Sequence, residues 1–137
     1  MTINRDNVTL WDGGTDKFCA VSIPEYQQYL YIDGKPCITV GFTYENANFK
    51  GYDYFTFFDT LYTDLMASIK STSDSLSGSF RLYDMGCDTD GYIDFVMDKG
   101  KVNVSGQLGA TFNTHWMHFA FDADQTLITA LYNCIKI

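Results

Sequence analysis

The sequence predicts a single α+β domain over residues 1–137, in which antiparallel sheet segments and two helices follow a strands–helix–strands–helix order and both helices pack on the sheet. Three observations carry this. Lys101–Leu108 alternates, with Val102, Val104 and Leu108 on one side and Lys101, Asn103, Ser105 and Gln107 on the other, the period of a half-buried antiparallel strand. Phe58, Leu61, Tyr62, Leu65 and Ile69 recur at three- and four-residue spacing, the stripe of an amphipathic helix. Leu127, Ile128, Leu131, Cys134 and Ile135 form a second such stripe at the end of the chain.

Taken in order, Met1–Leu10 reads as a short first strand or a loosely tied end, and Trp11–Gly14 as a turn. Phe18–Ile23 is a strand with Cys19, Val21 and Ile23 alternating, ended by Pro24. Leu30 and Ile32 alternate against Tyr29 and Tyr31, and Asp33-Gly34 then supplies a hairpin turn. Ile38, Val40, Phe42 and Tyr44 share one face of the answering strand. Glu45–Tyr54 reads as a loop, and a helix over about residues 54–71 follows, capped by Asp53 or Thr56 and carrying Lys70 in its last turn. Ser71–Ser75 reads as a polar break. The second block runs Ser77–Asp84, Tyr92–Asp98, Lys101–Leu108 and Trp116–Phe121, with a turn at Asp98-Lys99-Gly100. A helix over about residues 123–135 closes the chain, with Asp122 and Gln125 at capping-box spacing. Leu61, Leu65, Leu127 and Leu131 are expected in the core.

A chain of 137 residues suits one domain, and 46% hydrophobic with 17% aromatic content is enough to fold one. The formal net charge of −8 disfavours direct binding to nucleic acid or anionic membranes, and favours a basic protein partner or plain solubility. Cys19, Cys37, Cys87 and Cys134 form no zinc-type pair. Residues 1–6 are polar and no stretch approaches a membrane span. The expectation is a cytoplasmic protein with reduced thiols, two or more of them buried.

Candidate chemistry is sparse. Asp88-Thr89-Asp90-Gly91-Tyr92-Ile93-Asp94 has the look of a calcium-loop centre, but Gly86 and Met97 stand where two essential oxygen donors belong. The simpler reading is a β-turn, with Asp and Gly suited to positive φ. His115 and His118, the two histidines, fall on opposite faces of a strand. Nucleophile motifs and glycine-rich phosphate loops are absent from the sequence. The expectation is a protein that is not an enzyme and uses no metal or cofactor.

Alternation does single out one surface. If Phe80, Leu82, Ile93, Phe95, Met97, Val102, Val104, Met117 and Phe119 face the core, the other face carries Arg81, Tyr83, Tyr92, Asp94, Val96, Asn103, Ser105, Trp116 and His118. Aromatic groups mixed with polar ones suit recognition, unless the first sheet packs on this face instead. Residues 84–98 contain five Asp and, up to Asp98, no Lys or Arg, a run that would draw a basic partner. The candidate partner-binding residues are Tyr83, Asp84, Asp88, Asp90, Tyr92, Asp94, Trp116 and His118.

Several short segments then fall into a pattern: Phe49-Lys50-Gly51, the Leu61…Leu65…Ile69 stripe with Asp64, Leu76-Ser77-Gly78, Gly91-Tyr92-Ile93, Val102–Leu108 and Met117–Leu127, with Asp124-Gln125-Thr126 the most specific. Over about residues 38–137 the chain resembles the WapI-like immunity proteins of bacteria. The resemblance implies a small, non-catalytic cytosolic antitoxin that binds and blocks a cognate toxin domain, often a nuclease. It transfers no binding residue. The alternative is a small-ligand or carbohydrate-binding domain that stacks Tyr83, Tyr92 and Trp116 on its ligand.

Overall fold

The computed structural model describes residues 7–21, 29–32 and 34–137 and has the expected order of elements. A first sheet holds β1 (Val8–Asp12), β2 (Lys17–Val21), β3 (Tyr29–Ile32), β4 (Lys35–Glu45) and β5 (Lys50–Phe58). Helix α1 (Asp59–Ser75) leads to a second sheet of β6 (Gly78–Tyr83), β7 (Tyr92–Asp98), β8 (Lys101–Leu108) and β9 (Met117–Asp124), and α2 (Gln125–Ile135) follows. All pairings among the described residues are antiparallel. The second sheet has the order β6-β7-β8-β9. In the first, β4 is the spine: β2 pairs with its second half and β3 with its first half along one edge, while β5 pairs along the other from Cys37 to Glu45.

The two sheets face each other across one aromatic core. Phe18 of β2 sits at its centre, stacked on Phe42 at 5.8 Å and reaching Phe95 at 6.3 Å and Phe121 at 5.8 Å in the opposite sheet. Tyr44 stacks over Phe119 at 4.9 Å, and Phe80 over Phe95 at 4.8 Å. The helices pack on each other beside this core, α1 also against β4, β5 and β6, and α2 against β1 and β9. The Tyr62 hydroxyl ties them, donating to Ile135 O at 2.8 Å and accepting from Ile137 N at 3.0 Å.

Much of the expected pattern is present. The Ile38, Val40, Phe42 and Tyr44 row is buried, as is the whole α2 stripe with Leu127 and Leu131. Lys99 and Gly100 both have positive φ, the two-residue turn that suits a hairpin's twist, between paired Asp98 and Lys101. Gly34 has the same character after Ile32; Ile23, Pro24 and Asp33 lie outside the described residues, as do residues 1–6.

Five expectations are corrected. Residues 50–58 form a full strand, not a loop and first helical turn: Asp53, Phe55 and Phe57 are buried at period two. Asp53 therefore does not cap α1, and no side chain does; Asp59, at φ 64°, makes the turn from strand to helix. Residues 71–75 are the last turn of α1, with Thr72 buried beneath the start of β6, so the polar run hid helix and not a break. Leu61 is exposed; the buried stripe is Tyr62, Leu65, Ile69 and Thr72. In β2 the core takes Phe18 and Ala20, leaving Cys19 and Val21 half-buried.

Two smaller differences concern the C-terminal third and the thiols. β9 runs on to Asp124, and the cap of α2 is Asp124, whose carboxylate accepts from Thr126 N at 2.9 Å; Asp122 and Gln125 form no box. Those bonds from Thr126 hold the Asp124 carboxyl below the ordinary aspartate range. All four cysteines are free, and Cys134 alone is buried.

Phe18→Ala empties the centre of the core and is expected to cost about 3–5 kcal/mol in denaturant unfolding, against less than about 1 kcal/mol for the partly exposed Cys19→Ala. The reverse ranking would show that the inward face of β2 is misassigned.

Candidate functional site

The free edge of β5 positions everything at the top of the second sheet. One edge of β5 is filled by β4; the other would present unpaired backbone groups. Instead it crosses the ends of the four strands of the second sheet. Gly51 approaches Leu108 and Met117, Asp53 reaches Thr89 and Gly109, and Thr56 meets Asp84 and Met85. The Thr56 amide donates to Asp84 Oδ1 at 2.8 Å, Thr56 O accepts from Met85 N at 2.9 Å, and the Tyr54 amide donates to Asp53 Oδ1 at 2.8 Å.

Asp84 and Asp53 are both buried. Asp84 also accepts from Gly86 N at 3.3 Å and Asp88 N at 2.6 Å, shaping the turn after β6. Asp53 Oδ2 accepts from the Thr89 hydroxyl at 2.9 Å and Gly109 N at 3.0 Å. Burial pushes the Asp53 carboxyl above the ordinary aspartate value, against the pull of those donors. Gly91 is glycine for space: a Cβ there would sit 2.1 Å from Asp53 Oδ2. Positive φ in this turn belongs to Cys87, so the expectation that glycine supplies it is corrected.

The eight candidate residues divide on this frame. Asp84 is withdrawn into the β5 junction. Asp90 is exposed, but its carboxylate accepts from the Thr111 amide at 2.8 Å, the Thr111 hydroxyl and Gln107 Nε2 at 3.1 Å. The Thr111 bonds lower its pKa. Asp94 is held by Arg81 through two bonds of 2.7 and 2.9 Å, and the guanidinium lies 4.3 Å over the Tyr92 ring. Tyr83, Asp84, Asp90, Tyr92 and Arg81 line one shallow cleft of about 350 Å³. Asp88 is exposed and its carboxylate makes no hydrogen bond or ion pair among the described residues. Trp116 and His118 form a separate edge-to-face pair at 5.1 Å.

Gln107, expected simply to point outward, is the buried link between these groups. Its Nε2 donates to Asp90 and to Gly109 O at 3.0 Å, and its Oε1 accepts from His118 Nε2 at 3.3 Å. Nothing in the strand's alternation distinguishes it from Asn103 or Ser105.

The outer face of the second sheet is open, because the first sheet packs on the inner one: Tyr83, Val96, Trp116 and His118 are exposed, while Val104 and Phe119 are buried. Among the described residues no group of three or more His, Cys, Asp or Glu is placed to hold a metal, and no helix is long and apolar enough to cross a membrane. No family model matches the chain, and neither a curated protein nor a solved structure matches it.

Because burial keeps Asp53 more protonated folded than unfolded, the native state binds the extra proton between the ordinary value near about 3.9 and its own raised value. Its contribution to stability is full below that window and is lost as pH rises through it. The difference in unfolding free energy between the protein and Asp53→Asn, the non-titrating variant, is therefore expected to fall as pH rises above about 4. A difference that grows with pH would contradict the burial of this carboxylate.

Proposed function

We propose that this chain is a non-catalytic, cytoplasmic immunity-type protein that binds a cognate toxin domain and blocks it by occlusion. The family resemblance supplies the class of function. The observation that carries the site is the open outer face of the second sheet, where Tyr83, Tyr92, Val96, Trp116 and His118 stand beside Arg81 and Asp94. Aromatic side chains with few rotatable bonds, set among polar groups on rigid strands, are the usual anchors of a protein interface.

The acidic run takes a narrower part in this reading than its composition suggests. Asp84 and Asp90 organise turns, and Asp94 is neutralised by Arg81. Asp88, in the turn after β6, and Asp98, at the end of β7, are the exposed carboxylates of the run that a basic partner meets unencumbered, within a chain of net charge −8 that steers such a partner at long range.

The test pairs this protein with any candidate toxin domain encoded beside it, by titration calorimetry and by growth of cells carrying that domain. Tyr83→Ala with Trp116→Ala is expected to weaken binding at least about tenfold. Asp88→Lys is expected to slow association and flatten its salt dependence, with a smaller effect on dissociation. Full neutralisation by a variant that combines Tyr83→Ala, Trp116→Ala and Asp88→Lys, correctly folded, would remove this face from the interface. The absence of any complex would remove the immunity reading itself.

A further inference from the structure

A second surface lies at the end of the sandwich, away from the cleft at Tyr83 and Tyr92. The turn between β4 and β5 and the loop between β8 and β9 form the two walls of a groove of about 460 Å³. Its base is apolar: Leu108 is buried and Met117 half-buried, and Met117 lies so close to the first residues of β5 that a Cβ on Gly51 would strike its sulfur at 2.2 Å. Its walls carry Phe49, 65% exposed, with Tyr52 and Trp116 each close to half exposed. Three large rings left in water around one groove is a concentration of apolar surface that a folded protein normally hides.

Both walls are pinned. Asn46 Oδ1 accepts from Asn48 N and Phe49 N at 2.9 Å each, and Asn46 N donates to Phe49 O at 2.9 Å, fixing the turn that presents Phe49. The opposite loop is held at Gly109 by Asp53, at Thr111 by Asp90 and at Asn113 by Ala110 O. A groove whose walls are fixed before anything enters loses little freedom on binding. Its volume lies in the range of small-molecule sites, about 300–1,000 Å³.

Charge sets the class of ligand. Among the described residues no carboxylate lines this groove, although the chain carries −8 overall. Three other clefts formed by described residues each carry acids: Asp12, Asp16 and Glu45 in one, Asp84 and Asp90 in the second, Asp64 in the third. Here the polar side chains are Lys50, His115 and Thr114, with the imidazole Nδ1 3.0 Å from the Thr114 hydroxyl. Lys50 enters none of the ion pairs found among the described residues. The described residues of the walls thus offer ring faces and hydrogen-bond donors, with none of the side-chain carboxylates and amides that commonly grip sugar hydroxyls.

We propose that this groove binds a small flat aromatic ring system bearing one anionic group, the ring stacked among Phe49, Tyr52 and Trp116 and the anion facing Lys50. The groove shares Trp116 with the proposed toxin face, but Phe49, Lys50 and Tyr52 lie on the first sheet and its turn, outside that face, so the Lys50 and Tyr52 variants test the groove apart from the immunity reading.

Amide NMR titrations of the full chain with three probes of matched shape test it: naphthoate, neutral naphthylmethanol and cationic naphthylmethylammonium. The expected order of affinity is anion, then neutral, then cation, with saturable shifts confined to residues 46–52 and 108–117. Lys50→Gln is expected to weaken naphthoate by about threefold and Lys50→Glu by about fivefold or more, while naphthylmethanol is unchanged. Tyr52→Ala is expected to weaken all three, by about tenfold for naphthoate. The proposal is overturned if naphthoate gives no saturable shifts at millimolar concentration, if the shifts map elsewhere, if the cation binds best, or if both Lys50 variants leave the anion preference intact. A neutral disaccharide that binds the groove where naphthoate does not would overturn it in favour of carbohydrate. Melting temperatures equal to that of the parent confirm that each variant is folded.

Discussion

The exposed edge of β5 is the constraint on which the rest of the molecule depends. A strand nine residues long, paired on one side only, would leave alternate amides and carbonyls facing outward. Here that edge is closed by side chains and by a turn instead of another strand. Asp84 takes the Thr56 amide, Asp53 takes the Tyr54 amide, and Met85 donates to the Thr56 carbonyl. Asp53 then reaches on to Thr89 and Gly109. Two buried carboxylates thus fix the first sheet to the ends of three strands in the second, and charge-assisted bonds to backbone amides are the strong kind.

This junction holds two loops that carry little hydrophobic sequence. The turn after β6 wraps the Asp84 carboxylate, and the loop after β8 is held at its start by Asp53 and two residues later by Asp90. Gly91 must be glycine because Asp53 occupies the space of a side chain. The same junction, with Phe18 and Tyr44 against Phe95, Phe119 and Phe121, commits the inner face of the second sheet to the core and leaves its outer face to solvent. The proposed recognition face and the proposed aromatic groove both sit on this rigid frame.

What could be read from the sequence was whatever had a clean period. β7 and β8 and the inward rows of the second sheet follow directly from alternation, and α2 from its stripe. β5 was concealed because Tyr54–Phe58 is aromatic at every position but one, so period two and the start of a helical stripe overlap. In α1 the polar run of residues 71–75 masked a last turn that Thr72 packs against β6. The candidate site was legible as a face but not as a set of roles. Alternation places Tyr83, Tyr92 and His118 outward, yet it is blind to contacts distant in the chain, such as Asp84 with Thr56 or Asp90 with Thr111. The Phe49–Tyr52 wall of the groove fell in a segment read as a loop, beyond the reach of any periodicity.

The closure of the β5 edge is tested most directly by native-state hydrogen exchange at the Thr56 and Gly109 amides, which donate to Asp84 and Asp53. Both are expected to exchange only through global unfolding, with the same free energy as core amides of β4 and β8. Exchange of Thr56 and Gly109 at the rate of an open sheet edge, while β4 and β8 stay protected, would contradict the account.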